Sequence, residues 1–180
     1  MVEIVEDLVV SLLGADEKPV PTIWHLQKEF FILTKANPKA QDLFRFAKHY
    51  EGPYSQILQD SVRDPVCYDN AIATKPSGEI YLTSQGKETL KVIQKKYAQE
   101  KTFNKIVHSL KLIRHIYEKL TRDELLFLIY VTYPEYVEFS TASDKLVKDC
   151  VKRKQLSNGL LNKGLITKER YEELITCQIE

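Results

Sequence analysis

The stretch from Gly52 to Gly86 changes its apolar spacing twice, and no other part of the chain restricts the fold as much. Gly52-Pro53 is a sharp junction: glycine suits the end of one helix, and proline, its φ already fixed, suits the start of the next. Tyr54, Ile57, Leu58 and Val62 then share one face of a helix expected over Pro53 to Asp64. From Val66 the spacing shifts. Cys67, Tyr68, Ile72 and Ala73 lead into Lys75-Pro76-Ser77-Gly78, and Glu79-Ile80-Tyr81-Leu82 alternates as a short strand does, so the turn between them suits a hairpin. Thr83 follows as an N-cap whose hydroxyl can meet the free amides of a first turn. Leu90, Ile93 and Tyr97 supply the buried stripe of that next helix.

Helical spacing dominates the rest. Val2, Val5, Leu8, Val9, Leu12 and Leu13 form an amphipathic helix, and Gly14 is expected to end it in the left-handed conformation. Asp16-Glu17-Lys18-Pro19-Val20-Pro21 reads as a turn. Thr22 then caps a helix carrying Ile23, Leu26, Phe30 and Leu33. Asn37-Pro38 interrupts the pattern, and a third segment is expected from about Ala40 to His49. Past a break near residues 99 to 102, Phe103, Ile106, Leu110, Ile113, Tyr117 and Leu120 make a heptad seam. Thr121 and Glu124 form a capping box before Leu125-Leu126-Phe127-Leu128-Ile129-Tyr130-Val131, which is apolar on every face and belongs in a core. Three more helices are expected at about Ala142 to Lys154, Gln155 to Lys163 and Thr167 to Cys177, with Gly164 as a C-cap. The fold class is therefore mainly α (α+β): a winged helix-turn-helix with a small two-stranded wing and a C-terminal all-helical extension. The expected domains are residues 1–100 and 101–180, the second packed on the first or used for dimerisation.

Composition narrows the class. With 43% hydrophobic and 28% charged residues the chain has the make-up of a globular protein rather than a disordered one. No apolar run approaches a membrane span, and the acidic start lacks a signal peptide's basic region, so a cytoplasmic protein is expected. Cys67, Cys150 and Cys177 are odd in number and far apart, which supports neither a disulfide framework nor zinc; they read as small hydrophobes. His108 and His115 stand about 10 Å apart along a helix, too far to share a metal, and opposite the seam, hence exposed. His25 and His49 read as packing or capping groups. Ser55 lacks the Gly-x-Ser-x-Gly elbow of a nucleophile, and there is no phosphate-binding glycine loop. No enzyme, metal or cofactor is expected.

Three motifs carry a family resemblance: Leu26-Gln27-Lys28-Glu29-Phe30-Phe31, Tyr50-Glu51-Gly52-Pro53-Tyr54-Ser55, and Tyr81-Leu82-Thr83-Ser84-Gln85-Gly86. With Glu124-Leu125-Leu126 through Tyr133-Pro134-Glu135, they resemble a winged-helix group of uncharacterised archaeal and phage-associated proteins. That group is similar to transcriptional regulators and to the antitoxin-like Panacea domains. The resemblance covers about residues 5 to 140. Glu51 stands between Tyr50 and Gly52, where the family more often places tyrosine directly before glycine. The resemblance implies a DNA-binding regulator or antitoxin-like factor.

In such a fold the recognition helix enters the major groove and the wing touches backbone or minor groove. Ser55, Gln56, Gln59 and Arg63 would then face the groove, with Lys75, Ser77, Lys87 and Lys91 on phosphates. Charge opposes part of this. Glu51, Asp60 and Asp64 against Arg63 leave the recognition segment at −2, and the whole chain carries only +1. Lys87, Lys91, Lys95, Lys96, Lys101 and Lys105 against Glu88 and Glu100 give +4. Lys145, Lys148, Lys152, Arg153 and Lys154 make a second concentration, and each run also reads as a solvated helix face. The alternative is a protein-interaction module without DNA, using Tyr54, Tyr68, Tyr133 and Tyr136. The expected partners are thus double-stranded DNA, a protein, or a second copy of the chain through the seam, and no membrane.

Overall fold

The structure, a computed structural model, describes residues 2–16 and 18–176. It is mainly helical (65% helix) with one small antiparallel two-stranded sheet. The elements run α1 (Val2–Leu13), α2 (Ile23–Ala36), α3 (Pro38–Phe44), α4 (Gln56–Arg63), β1 (Ile72–Thr74), β2 (Ile80–Leu82), α5 (Ser84–Lys96), α6 (Lys101–Tyr117), α7 (Arg122–Thr132), α8 (Cys150–Asn162) and α9 (Lys168–Thr176). Two compact units emerge. Residues up to Ala47 join Ser55–Ile116 in one, and Lys48–Tyr54 joins the residues from Tyr117 onward in the other. Most of α6 thus clusters with the helices before it. Among the described residues no helix is long and apolar enough to cross a membrane.

In the first unit α1 is central. Its residues Val5 to Leu13 are all buried, polar ones included, and it packs against α4 and α5. Gly14 ends α1 without the expected positive φ. Its role is proximity: a Cβ there would stand 2.3 Å from Leu90 Cδ2 on α5. Buried carboxylates on α1 hold the loop that follows α4. Glu6 accepts from Val66 N at 2.7 Å and Cys67 N at 2.9 Å, while Asp7 accepts from Tyr68 Oη at 2.5 Å. The Val66 and Cys67 amides are thus taken by Glu6, and β1 starts at Ile72. It pairs Ile72 with Leu82 and Thr74 with Ile80. Val20 adds a bridge that the spacing did not disclose, exchanging hydrogen bonds of 2.9 and 2.8 Å with Ile80.

Local signals set several boundaries. Asn37 caps α3 through Lys39 N, with Pro38 in its first turn, and Arg45 at φ 43 stops it short of the expected His49. Thr83 accepts from Gly86 N and caps α5. The break between α5 and α6 falls at residues 97–100, where Tyr97 and Phe103 stack at 3.7 Å between centroids. Phe103, Ile106, Leu110 and Ile113 of the seam are buried. Cys67 and Cys150, read as small hydrophobes, are exposed free thiols. Cys177 lies outside the described residues.

The second unit is built on α7, α8 and α9, with α8 packed against both others. The Thr121–Glu124 capping box opens α7, whose Leu125, Leu126, Phe127, Ile129 and Tyr130 are buried. Segment 48–54 joins this unit through Thr141 N to Tyr50 O at 3.2 Å and Arg122 to Glu51 at 2.5 Å. The two helices expected across 142–163 are replaced by a π turn at Asp144–Lys148 and the single α8. Asp149 is the reason. Its carboxylate accepts from Val151 N and Lys152 N, starting a helix where the spacing suggested continuity, and nothing interrupts that helix at Lys154. Gly164, at φ 69, follows α8 as expected.

Gly159 sits in mid-helix, where alanine ordinarily gains about 1 kcal/mol. Here the added Cβ would stand 2.4 Å from Glu124 Oε1. That carboxylate cannot swing aside freely, because Oε2 accepts from Thr121 N at 2.8 Å and from Lys163 Nζ at 2.5 Å. Burial on its own would raise the Glu124 pKa, but the Lys163 ammonium and the Thr121 amide and hydroxyl outweigh it and hold the group below its ordinary value. Gly159→Ala is therefore expected to destabilise the protein by about 1–2 kcal/mol at pH 7 in urea unfolding. The stability from Glu124 is present above its unfolded pKa of about 4.3 and is lost as pH falls through the lower folded value, so the deficit shrinks in acid. A variant as stable as wild type at pH 7 would mean that the carboxylate turns aside at no cost.

Candidate functional site

The first turn of α4 is set from a distance. Gln27 on α2 clamps the backbone of Ser55, accepting from its N–H at 2.8 Å and donating to its carbonyl at 2.9 Å. Held extended at φ −124, Ser55 becomes the N-cap, and α4 starts at Gln56 rather than at Pro53. Ser55 itself is fully buried, with its hydroxyl donating to Phe44 O, so it cannot reach a groove. Gln59 is also buried. Its amide, turned with oxygen toward Arg63, accepts from Nε at 2.6 Å and Nη2 at 3.1 Å. Gln56 is exposed but donates to Asp60 Oδ1 at 2.7 Å. The open face of α4 thus presents Gln56, Asp60, Arg63 and Asp64, two carboxylates against one guanidinium.

The β1–β2 ribbon and α5 present the opposite charge. A cleft of about 740 Å³ runs beside them, lined by Leu82 and Leu90 with Lys18, Lys75, Lys87 and Asp16. Lys75 pairs with Glu79 at 3.0 Å and lies 5.8 Å from the Tyr81 ring centroid. Ser77 donates to the same Glu79 carboxylate at 3.1 Å. Hydrogen bonds from Lys75 and then Ser77 hold Glu79 below its usual pKa. Lys87 is exposed and makes no ion pair among the described residues, whereas Lys91 pairs with Glu88 at 2.7 Å and does not line the cleft. Lys18 was missed by sequence reasoning because it sits in the Pro-punctuated turn before Val20. That turn is pinned by Arg114, which donates to Lys18 O at 3.1 Å and Pro19 O at 2.8 Å and pairs with the buried Glu29 at 3.2 Å.

Of the four tyrosines, Tyr68 belongs to the first unit and Tyr54, Tyr133 and Tyr136 to the second. Tyr68 is half-buried and spends its hydroxyl on Asp7; burial first and that bond second push its pKa up. Tyr54 is half-buried and stacks on His49 at 4.9 Å. Tyr133 precedes and Tyr136 ends a short 3-10 turn at Pro134–Tyr136, both half-buried. His25 Nδ1 lies 2.9 Å from Thr22 Oγ1 and its ring meets Trp24 edge-on at 5.0 Å, while no side chain caps the first amides of α2. His108 and His115 are exposed. Among the described residues no group of three or more His, Cys, Asp or Glu side chains is placed to hold a metal ion. No protein-family model matches the chain, and no curated protein matches it in sequence.

Proposed function

We propose that the chain is a non-enzymatic winged-helix protein of the transcriptional-regulator or antitoxin-like kind, and that it meets duplex DNA through the ribbon and the start of α5. The order α1, bridge at Val20, α2, α4, ribbon, α5 supports the fold reading. The observation that carries the function is the gathering of Lys18, Lys75 and Lys87 around one cleft beside the ribbon. Phosphate neutralisation dominates affinity for duplex DNA, so the contact belongs where cations collect and not on the acidic α4. A second reading has its own support. With Ser55 and Gln59 buried and Gln56 and Arg63 engaged within the chain, the open face of α4 suits a basic protein partner better than a groove.

Anisotropy with mixed genomic fragments at low salt separates the two. The first reading expects salt-sensitive binding, weakened at least about tenfold by Lys75→Ala with Lys87→Ala and hardly changed by Arg63→Ala. No binding at low salt, or loss on Arg63→Ala alone, would overturn contact through the ribbon.

A further inference from the structure

Within the second unit, a cavity of about 440 Å³ is walled by Tyr130 and Val131 of α7, by Val137 and Val147, and by Leu174 of α9. Its walls are largely apolar, and its size falls within the roughly 300–1,000 Å³ of small-molecule sites. Arg153, on α8, also lines it and is only 6% exposed. Its Nε is buried with no hydrogen-bond partner, and no carboxylate lies within ion-pairing distance of its guanidinium among the described residues. The other cation at the cavity is satisfied: Arg170 pairs with Glu173 at 2.8 Å and donates to Val131 O at 3.0 Å.

An unpaired buried cation costs far more than a solvated one, and a guanidinium offers planar, paired donors suited to a carboxylate. The cation is thus incomplete as it stands. We infer that this cavity is a binding site for an amphipathic monocarboxylic acid, its carboxylate on Arg153 and its hydrocarbon tail against Tyr130, Val137, Val147 and Leu174. Both halves of that chemistry are needed, since an alcohol of equal length leaves the guanidinium unpaired and a short acid leaves the apolar wall wet. The site lies wholly in the second unit and does not depend on the DNA-binding reading.

Calorimetry on the full chain with octanoate, 1-octanol and acetate tests it. Octanoate is expected to bind at least about tenfold more tightly than either of the others, and Arg153→Met to reduce it to the level of octanol. Should Arg153→Met fail to fold, the Nε–H resonance of Arg153 in the wild type reports directly, moving with octanoate and staying with octanol. Equal binding of octanoate and octanol, an Arg153 resonance indifferent to octanoate, or no uptake at all would overturn the site.

Discussion

Gly86→Ala is expected to lower stability by about 3 kcal/mol, the upper end for forcing a methyl into a packed site. In the first turn of a helix the same change is ordinarily harmless or helpful. The obstacle here is backbone. An added Cβ would stand 2.0 Å from the Ala71 carbonyl oxygen, 2.9 Å from its carbon and 3.2 Å from Leu82 Cδ2. The Ala71 oxygen accepts from Thr83 N at 3.1 Å, and Thr83 Oγ1 both donates to Asn70 O at 2.6 Å and caps Gly86 N at 3.0 Å. Relief therefore means lifting α5 off the residues that lead into β1, which breaks the cap and loosens the ribbon together. Gly78→Ala is the control. Gly78 sits at φ +93 with no contact closer than 3.4 Å, so it carries only a conformational cost of about 1 kcal/mol. Urea unfolding ranks the two, and a Gly86→Ala chain no weaker than Gly78→Ala would show that α5 does not approach Ala71 this closely.

Gly86 also shows what the sequence could disclose. It was legible as the last residue of a Tyr-x-Leu-Thr-x-x-Gly motif, and Thr83 three places earlier was legible as a cap, because both act within one helical turn. The Thr121–Glu124 box was readable for the same reason. What depends on distant partners was not. The start of α4 is set by Gln27, 28 residues upstream, so the local Gly-Pro signal placed it too early. Ser55 and Gln59 were assigned to the open face because apolar spacing marks one buried side of a short helix. In this unit polar residues are buried on α1, α2 and α4 as well. Lys75, Ser77 and Lys87 were visible from the ribbon turn and the helix after it, whereas Lys18 reaches the same cleft through the Val20–Ile80 bridge and the Arg114 hold on its turn. Arg153 was counted into a solvated basic run; only packing reveals it as a buried cation.

Asp7→Ala is expected to cost about 3 kcal/mol, the range for removing one partner from a buried charged network. Asp7 is fully buried on α1, although the start of the chain is acidic and its apolar residues alone marked the buried face. It ties three donors from two other segments: Tyr68 Oη at 2.5 Å, Tyr97 Oη at 2.7 Å and Lys96 Nζ at 2.9 Å. Lys96 is part-exposed and keeps Glu3 at 2.5 Å, so it can recover without Asp7. The tyrosine hydroxyls lose a carboxylate partner in a desolvated place, and they carry most of the loss. Tyr68→Phe removes one bond with its donor and should cost only about 1 kcal/mol. The pH dependence gives a second readout. Burial and the bond to Asp7 raise the pKa of both tyrosines, and the Glu3 and Asp7 carboxylates raise that of Lys96 against burial. A group raised in the folded state gives stability that is complete below its unfolded pKa, here about 10, and that is lost as pH climbs toward the folded value. The wild type should therefore weaken steeply above about pH 10, with Tyr68 and Tyr97 ionising late in an absorbance titration alongside Tyr117 and Tyr130, which burial also raises. In Asp7→Ala, Tyr68 and Tyr97 should ionise earlier than in the wild type, since the bond to Asp7 is gone though burial remains, and the alkaline slope should flatten. An unchanged titration would mean that Asp7 does not hold the hydroxyls, leaving the loop between α4 and β1 to the Glu6 bonds.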